Sequence, residues 1–232
     1  METLVFLYEN AGLVAQLTWQ HVQIVAVAVG AAILTGVPLG IAISQNERAA
    51  RAVLYVAAVL MTIPSVALFG LMIPVLSLIG QGVGFLPTVI ALFLYSQLPI
   101  IRNTYTAIQN FDPALREASR GMGMTTWERL SQVELPITVP IIMAGVRMAV
   151  VINIGIATVA TYIGAGGLGK LISRGISQSD PRQLVAGAIM VSLLAIAADY
   201  FLARLQRRFT PAGMRDTSQA LTSSRGAGRT FP

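Results

Sequence analysis

The chain has 232 residues, of which 55% are hydrophobic and only 11% charged, and its mean hydropathy is +0.70. A soluble domain is about 25% charged, so this composition argues against one, and the many apolar residues exclude intrinsic disorder. The lack of cysteine excludes disulfides and thiolate metal sites. Residues 52–101 contain no Asp, Glu, Lys, Arg or His, whereas the loops of a water-soluble fold must carry charge. The composition therefore indicates an all-α, polytopic membrane protein.

The first 21 residues differ from the rest of the chain. They carry two acids, Glu2 and Glu9, and no Lys or Arg, which argues against a cleaved signal peptide. Apolar residues recur at helical spacing, a pattern that predicts a helix lying in the membrane interface over residues 1–21. His21 is the only histidine. We interpret it as a polar residue at the membrane boundary rather than as a ligand or a pH sensor.

Five stretches are long and apolar enough to cross the hydrocarbon core, which takes about 20 residues. These predicted spans are residues 22–43, 53–69, 86–108, 137–162 and 184–203. Pro64, Pro74 and Pro99 are expected to kink or end helices. A sixth crossing through residues 69–79 is the less favoured alternative, because that tract is short for a span.

Basic residues are concentrated on one side of the predicted spans. If the N-terminus lies outside, twelve of the 16 basic residues fall in cytoplasmic segments and three fall outside. The positive-inside rule therefore predicts an external N-terminus and a cytoplasmic C-terminus. Orientation and anionic lipid then explain the net charge of +6, with no need for nucleic acid. Residues 22–208 form the predicted transmembrane domain, and residues 209–232 are predicted to be a disordered cytoplasmic tail.

The only long polar insertion between spans is residues 109–136, which we call the connecting segment. Asp112 followed by Pro113 predicts a helix start, and the glycines at 121 and 123 predict its end. Thr125 and Glu128 have the spacing of a capping box that begins a second helix, and Leu135-Pro136 is expected to close that helix before the fourth span. By periodicity alone, an amphipathic connector without further function remains an equal alternative.

The connecting segment also carries a spaced motif. Glu117-Ala118-Ser119, Gly123 and Val133-Glu134-Leu135-Pro136 fit the pattern E-A-A-x3-G-x9-I-x-L-P, with Ser119 in place of the second alanine and Val133 in place of isoleucine. This pattern resembles the coupling loop of permease subunits of ATP-binding cassette (ABC) importers of the type I fold. The resemblance implies a cytoplasmic coupling helix that docks on an ATPase subunit. The implied docking residues are Glu117, Ala118, Ser119, Gly123, Trp127, Leu135 and Pro136.

Three further runs narrow the resemblance. They are Thr62-Ile63-Pro64-Ser65-Val66-Ala67-Leu68-Phe69-Gly70, Val151-Ile152-Asn153-Ile154-Gly155, and Ile163-Gly164-Ala165-Gly166-Gly167-Leu168-Gly169. They are similar to permeases of the osmoprotectant group, which import glycine betaine, choline, carnitine and related quaternary ammonium compounds. The resemblance implies the same cargo here. A permease for another small solute such as methionine is the first alternative, and a self-sufficient secondary carrier or channel is the second.

The resemblance also implies a set of partners in the bacterial cytoplasmic membrane. The chain has no G-x-x-x-x-G-K-[ST] motif, so it is expected to be a non-catalytic subunit without cofactor or metal, and ATP and Mg would be bound by a partner ATPase. A second permease subunit, identical or different, would complete the pathway. An extracytoplasmic substrate-binding protein would deliver the solute.

Several residues are candidates for the translocation pathway or its gate. They are Pro64, Ser65, Asn153, Thr158, Gly164, Gly166 and Gly167. For the polar pair Asn153 and Thr158, hydrogen bonds between helices are an equal alternative. The run from Gly164 to Gly169 also matches the dinucleotide fingerprint G-x-G-x-x-G, but an apolar span precedes it and Ile189 stands where an acid is expected. Close backbone packing or a hinge is the better interpretation.

Arg147 and Asp199 are the two charged residues that fall clearly within predicted spans. Charges inside a membrane are costly and usually paired. Counting the helical rise from the span ends places them at compatible depths, and side chains lean toward the N-terminus of their helix, which brings the two together. We therefore predict an ion pair between the fourth and fifth spans, with a structural role favoured over gating.

Overall fold

The structure, a computed structural model, describes residues 2–209, and within that range it consists of helices joined by short turns and loops, with no β-strand. The predicted tail lies outside the described residues, except for Phe209. The helices are α1 (Glu2–Glu9), α2 (Ala11–Ile43), α3 (Glu47–Thr62), α4 (Ser65–Ser77), α5 (Phe85–Gln109), α6 (Pro113–Gly121), α7 (Thr126–Arg129), α8 (Leu135–Val159), α9 (Gly169–Ser177) and α10 (Pro181–Phe209). Four helical stretches can each cross a membrane by length and composition, and the bent pair α3–α4 makes up to five.

The first long helix begins eleven residues before the predicted span. Helix α2 runs unbroken for 33 residues from Ala11, so the predicted boundary between residues 21 and 22 is wrong. The reason is that one face of the helix between residues 11 and 21 packs against the bundle: Leu17 is 3% exposed in a cluster with Leu168 and Leu171. His21 is fully buried, and its Nε2 donates to the carbonyl oxygen of Ile154 at 3.1 Å. The interfacial interpretation of His21 is therefore also wrong.

The predicted second span is broken in the structure. Helices α3 and α4 meet at an angle of 97° around Ile63 and Pro64. Ile63 has extended backbone angles, as expected for a residue before proline. With 16 and 13 residues, the two helices are about 24 and 20 Å long, so neither alone covers a hydrocarbon core of roughly 30 Å. The hydroxyl of Tyr95 donates to the carbonyl oxygen of Ile63 and so satisfies an acceptor exposed by the break.

Small residues bring the central helices α2, α5 and α8 close together. Ala28 and Ala32 on α2 are fully buried in the largest core cluster. On α8, a Cβ atom added to Gly145 would lie only 2.6 Å from the carbonyl oxygen of Pro99 on α5. Such contacts are typical of helices packed in membranes, where small side chains allow backbones to approach.

Replacing Gly145 by valine is expected to separate α5 from α8 and to lower the free energy of unfolding by about 1–3 kcal/mol, because the added atoms overlap rigid backbone. Gly155→Ala is the matched control on the same helix, since a Cβ atom there meets nothing within 4 Å. The control should be neutral or stabilising by up to about 1 kcal/mol. Thermal unfolding of the detergent-solubilised chain measures both changes, and equal melting temperatures for the two variants would contradict the close packing.

The connecting segment joins α8 without a break, so the expected helix end at Leu135-Pro136 is wrong. One π-helical turn, Leu130–Glu134, lies between α7 and α8, and the Leu135 amide donates to the carbonyl oxygen of Leu130. Pro136 has no amide hydrogen, and it falls in the first turn of α8 after the wider π turn. Proline is compatible with a first helical turn. Helix α7 therefore continues into α8 with no loop between them.

Candidate functional site

Helix α6 begins and ends as its sequence predicts. The Asp112 side chain accepts a hydrogen bond from the Ala114 amide at 2.8 Å. The helix stops at Gly121, and Gly123 follows with a φ of +80°, a backbone conformation that favours glycine. Within the motif, Glu117 and Ala118 are exposed, whereas Ser119 is buried and its hydroxyl donates to the carbonyl oxygen of Leu115. The small residue at position 119 therefore faces the bundle and not the outer surface.

The start of α7 has the predicted capping box. The Thr125 hydroxyl accepts from the Glu128 amide, and the Glu128 carboxylate accepts from the Thr125 amide at 2.8 Å. These hydrogen bonds fix the first turn of α7, which contains Trp127, and the Trp127 side chain is 72% exposed. Met122 and Leu115 in the same segment are also exposed. An exposed tryptophan beside other apolar side chains on a polar segment is typical of a protein-binding surface.

A buried ion triad holds the connecting segment to the bundle. Both Arg116 Nε and Arg129 Nε lie 3.0 Å from the same oxygen, Glu134 Oε1. Glu134 is 3% exposed and Arg129 is 8% exposed. Arg116 also donates to the carbonyl oxygen of Ile108 at 2.9 Å. The triad thus ties α6, through Arg116, to the π turn and to the end of α5.

The triad was not predicted from the sequence. Glu134 occupies the variable position of the motif, and the positive-inside rule assigned the two arginines only to the cytoplasmic side. The available signal was the spacing of Arg129 and Glu134, five residues apart, beside an otherwise apolar helix. That five-residue spacing fits the π-helical turn at Leu130–Glu134, but no sequence pattern predicts a π turn there.

Replacing Glu134 by glutamine is expected to lower the free energy of unfolding by about 3 kcal/mol, because it leaves two guanidinium groups without their shared counter-charge, one of them buried. Glu128→Gln is the matched control in the same segment, since it changes an exposed cap and should cost about 1 kcal/mol or less. Unfolding by SDS in mixed micelles measures both values. A Glu134→Gln loss no larger than the control loss would show that the triad contributes little.

The candidate pathway residues lie on several different elements of the fold. Asn153 is fully buried, and its amide nitrogen donates to Ser96 Oγ and to the carbonyl oxygen of Leu92, both on α5. Thr158 donates to the carbonyl oxygen of Gly155 in its own helix. Pro64 and Ser65 lie at the break between α3 and α4. Asn153 therefore makes an interhelical contact in this chain, and its direct role in the pathway stays a prediction.

The glycine-rich loop packs tightly against α2. Gly166 and Gly167 have φ values of +86° and +73° and are buried. The Gly167 amide donates to the Gln20 side chain, and a Cβ atom on Gly167 would lie 3.0 Å from His21 Nδ1. Gly164, in contrast, is exposed, and the Ile163 carbonyl before it accepts from the Gly84 amide. An apolar helix precedes this loop, which agrees with backbone packing and not with dinucleotide binding.

The two charges predicted to meet inside the membrane do meet. Arg147 Nη2 lies 2.8 Å from Asp199 Oδ1, and three hydrogen bonds join the two side chains. Arg147 Nη1 also donates to the side-chain oxygen of Gln206 at 3.1 Å, and the Gln206 amide donates to the carbonyl oxygen of Pro140. The network fastens α10 to α8. Among residues 2–209, no group of three or more His, Cys, Asp or Glu side chains could hold a metal ion.

Solved structures identify the class of this fold. A chain of the MetNI methionine ABC transporter in inward-facing conformations aligns with a TM-score of 0.77 at 21% identity, over 87% of this chain and 98% of that chain. An amino-acid ABC transporter described with histidines aligns with a TM-score of 0.72 at 18% identity, over 88% and 97%. The chain therefore has the type I ABC permease fold, in agreement with the predicted fold class.

Sequence comparisons identify the family. Residues 32–211 match the model of the binding-protein-dependent transport system inner membrane component. The osmoprotectant import permease protein OsmW of Salmonella typhimurium is 56% identical over 93% of this chain and 100% of that protein. The glycine betaine/carnitine/choline transport system permease protein OpuCB of Bacillus subtilis is 42% identical over 92% and 96%.

The chain belongs to the family of binding-protein-dependent transport system inner membrane components. It is a multi-pass protein of the bacterial inner membrane, and its named relatives are transport permeases and not catalysts. The resemblance of the sequence to permease subunits of ABC importers, and among them to the osmoprotectant group, is confirmed.

Proposed function

We propose that this chain is the permease subunit of an ABC importer for osmoprotectants such as glycine betaine, choline or carnitine. The observation that carries the proposal is the 56% identity to an osmoprotectant import permease over that protein's whole length. Similarity to permeases described for choline and for glycine betaine, carnitine and choline supports the same class of cargo. The likeness to the methionine transporter is distant and supports the fold alone.

The connecting segment is the element through which a partner ATPase acts. It carries the exposed side chains of Glu117 and Trp127, and the buried triad around Glu134 makes it rigid. The unbroken path from α7 into α8 supports this role, because displacement of α7 would tilt α8 against the core. The ATPase holds ATP and Mg and hydrolyses ATP, and this chain supplies the moving wall of the pathway.

The orientation and the partners follow from the same proposal. The connecting segment and the C-terminus lie in the cytoplasm with the arginine-rich ends of the helices, and the N-terminus lies outside. A second permease subunit, identical or different, covers exposed apolar faces of this chain. A substrate-binding protein delivers the solute from outside, and alternating access moves it inward.

Uptake by the reconstituted complex tests the proposal. Proteoliposomes that contain the chain with its ATPase and binding protein should accumulate radiolabelled glycine betaine only when ATP is inside with the ATPase. Unlabelled choline or carnitine should compete, whereas methionine should not. Competition by methionine, without competition by choline or carnitine, would show that the cargo belongs to another class of solute. ATP-independent uptake by the chain without its ATPase would instead indicate a self-sufficient carrier.

A further inference from the structure

A small polar cavity lies beneath the connecting segment, apart from its exposed docking face. Its volume is about 80 Å³, and it is lined by the end of α2 at Ser44, the end of α5 at Ile108, and the side chains of Arg116, Arg120, Arg129 and Glu134. A water molecule occupies roughly 30 Å³ in the liquid. The space therefore suits a ligand the size of two or three waters and excludes a nucleotide.

The charges around this cavity do not balance. Three guanidinium groups surround it and one carboxylate faces them, so two positive charges remain. Arg116 and Arg129 share a single oxygen of Glu134. The Arg120 side chain makes no ion pair or hydrogen bond with any residue in the range 2–209. Arg129 is the one buried arginine of the three, whereas Arg120 is exposed and the Arg116 side chain is 30% exposed, so the excess positive charge lies at an opening to solvent and attracts an anion there.

Hydrogen-bonding capacity points the same way. Arg129 is 8% exposed, and Nε is the one nitrogen of its guanidinium group that bonds to a described residue. Its two terminal nitrogens are left as donors beside the cavity. The backbone acceptors at the wall are already engaged, because Ser44 O accepts from Gln109 and Ile108 O accepts from Arg116. The remaining side-chain acceptors at the wall are the amide oxygens of Gln45 and Gln109 and the second carboxylate oxygen of Glu134, and the guanidinium nitrogens without a protein partner outnumber them.

We propose that this cavity binds a small oxyanion of the phosphate type, held by Arg120 and Arg129 with Arg116 behind them. Planar guanidinium groups bind phosphate oxygens in pairs, which accounts for the choice of arginine at these positions. The oxyanion is either inorganic phosphate from solution or the phosphate of an anionic lipid headgroup, since the cavity lies where three long helices end. The site does not depend on the identity of the transported solute.

Thermal unfolding of the full-length chain in nanodiscs tests this site. In phosphatidylcholine nanodiscs, inorganic phosphate replaces chloride at constant ionic strength, which keeps general screening fixed. We expect a saturable rise in melting temperature of about 3–5 °C at roughly tenfold excess over Kd. In a second arm without phosphate, phosphatidylglycerol replaces part of the phosphatidylcholine. Stabilisation in the first arm identifies the free anion, and stabilisation in the second alone identifies the lipid headgroup.

Three variants test whether the anion-dependent rise in melting temperature comes from binding in the cavity. Arg120→Gln and Arg129→Lys should each weaken the anion by about tenfold, the first by removing a charge and the second by removing the planar fork while keeping a donor for Glu134. Arg102→Gln removes an exposed cation that does not line the cavity and should respond as the wild type does. No anion-dependent stabilisation in either arm, or an unchanged response in both cavity variants, would overturn the proposal.

Discussion

Replacing Glu117 by arginine is expected to abolish binding of the partner ATPase while leaving the fold intact. Glu117 lies on the exposed side of α6, and its side chain makes no ion pair or hydrogen bond with any described residue, so its charge is free to meet a partner. Charge reversal turns attraction into repulsion at the docking surface. Like charges placed together at an interface cost several kcal/mol, which is roughly a hundredfold in affinity or more.

Co-purification of the tagged chain with its ATPase, together with solute-stimulated ATP hydrolysis, measures this loss. The matched control is Glu9→Arg, a reversal of another exposed acid that lies on α1, remote in sequence from the connecting segment. Trp127→Ala removes the exposed aromatic side chain and should weaken assembly by about thirtyfold, the value of a strong interface contact. Full assembly by a folded Glu117→Arg chain would show that the ATPase binds elsewhere.

The features that the sequence predicted well are governed by local chemistry. Asp112 and Thr125 cap their helices because side-chain oxygens satisfy free amides within three residues, which requires no knowledge of the rest of the fold. The Arg147–Asp199 contact is long-range, yet it was predictable for a different reason. In an apolar medium a charge must find its counter-charge, and only two were available at similar depth.

The features that the sequence did not predict depend on tertiary packing. The continuity of α8 through Pro136 rests on a π turn whose geometry is fixed by Glu134 and its two arginines. His21 looked like a boundary residue because the glycine loop that covers it lies about 145 positions away in the chain. The 97° break at Pro64 could be expected as a kink, but its size depends on how α4 packs.

Removing one partner of the Arg147–Asp199 pair is expected to destabilise the chain strongly, and removing both is not. Asp199→Leu leaves a guanidinium inside the apolar bundle with only Gln206 to face it. The expected loss is about 3 kcal/mol, the cost of an unpaired charge within a membrane. The side chains of Arg147 and Asp199 are 30% and 43% exposed in the isolated chain, so the loss should be greater in lipid than in detergent.

The double variant Arg147→Met/Asp199→Leu replaces the pair by apolar side chains of similar size. Its free energy of unfolding should return to within about 1 kcal/mol of the wild-type value, because no charge is left unpaired. SDS unfolding of the four chains gives the coupling energy. If the double variant loses as much free energy of unfolding as the Arg147→Met and Asp199→Leu single variants lose together, the two side chains have no favourable interaction energy.

Transport by the double variant separates a structural role from gating. If the pair only fastens α10 to α8, restored packing should restore ATP-driven uptake as well, because the apolar contact holds the same two helices together. If opening of the pathway requires the pair to break and re-form, the double variant should fold like the wild type and still fail to transport. The three-part attachment through Asp199, Gln206 and Pro140 favours the structural role, so we expect uptake within about twofold of the wild type.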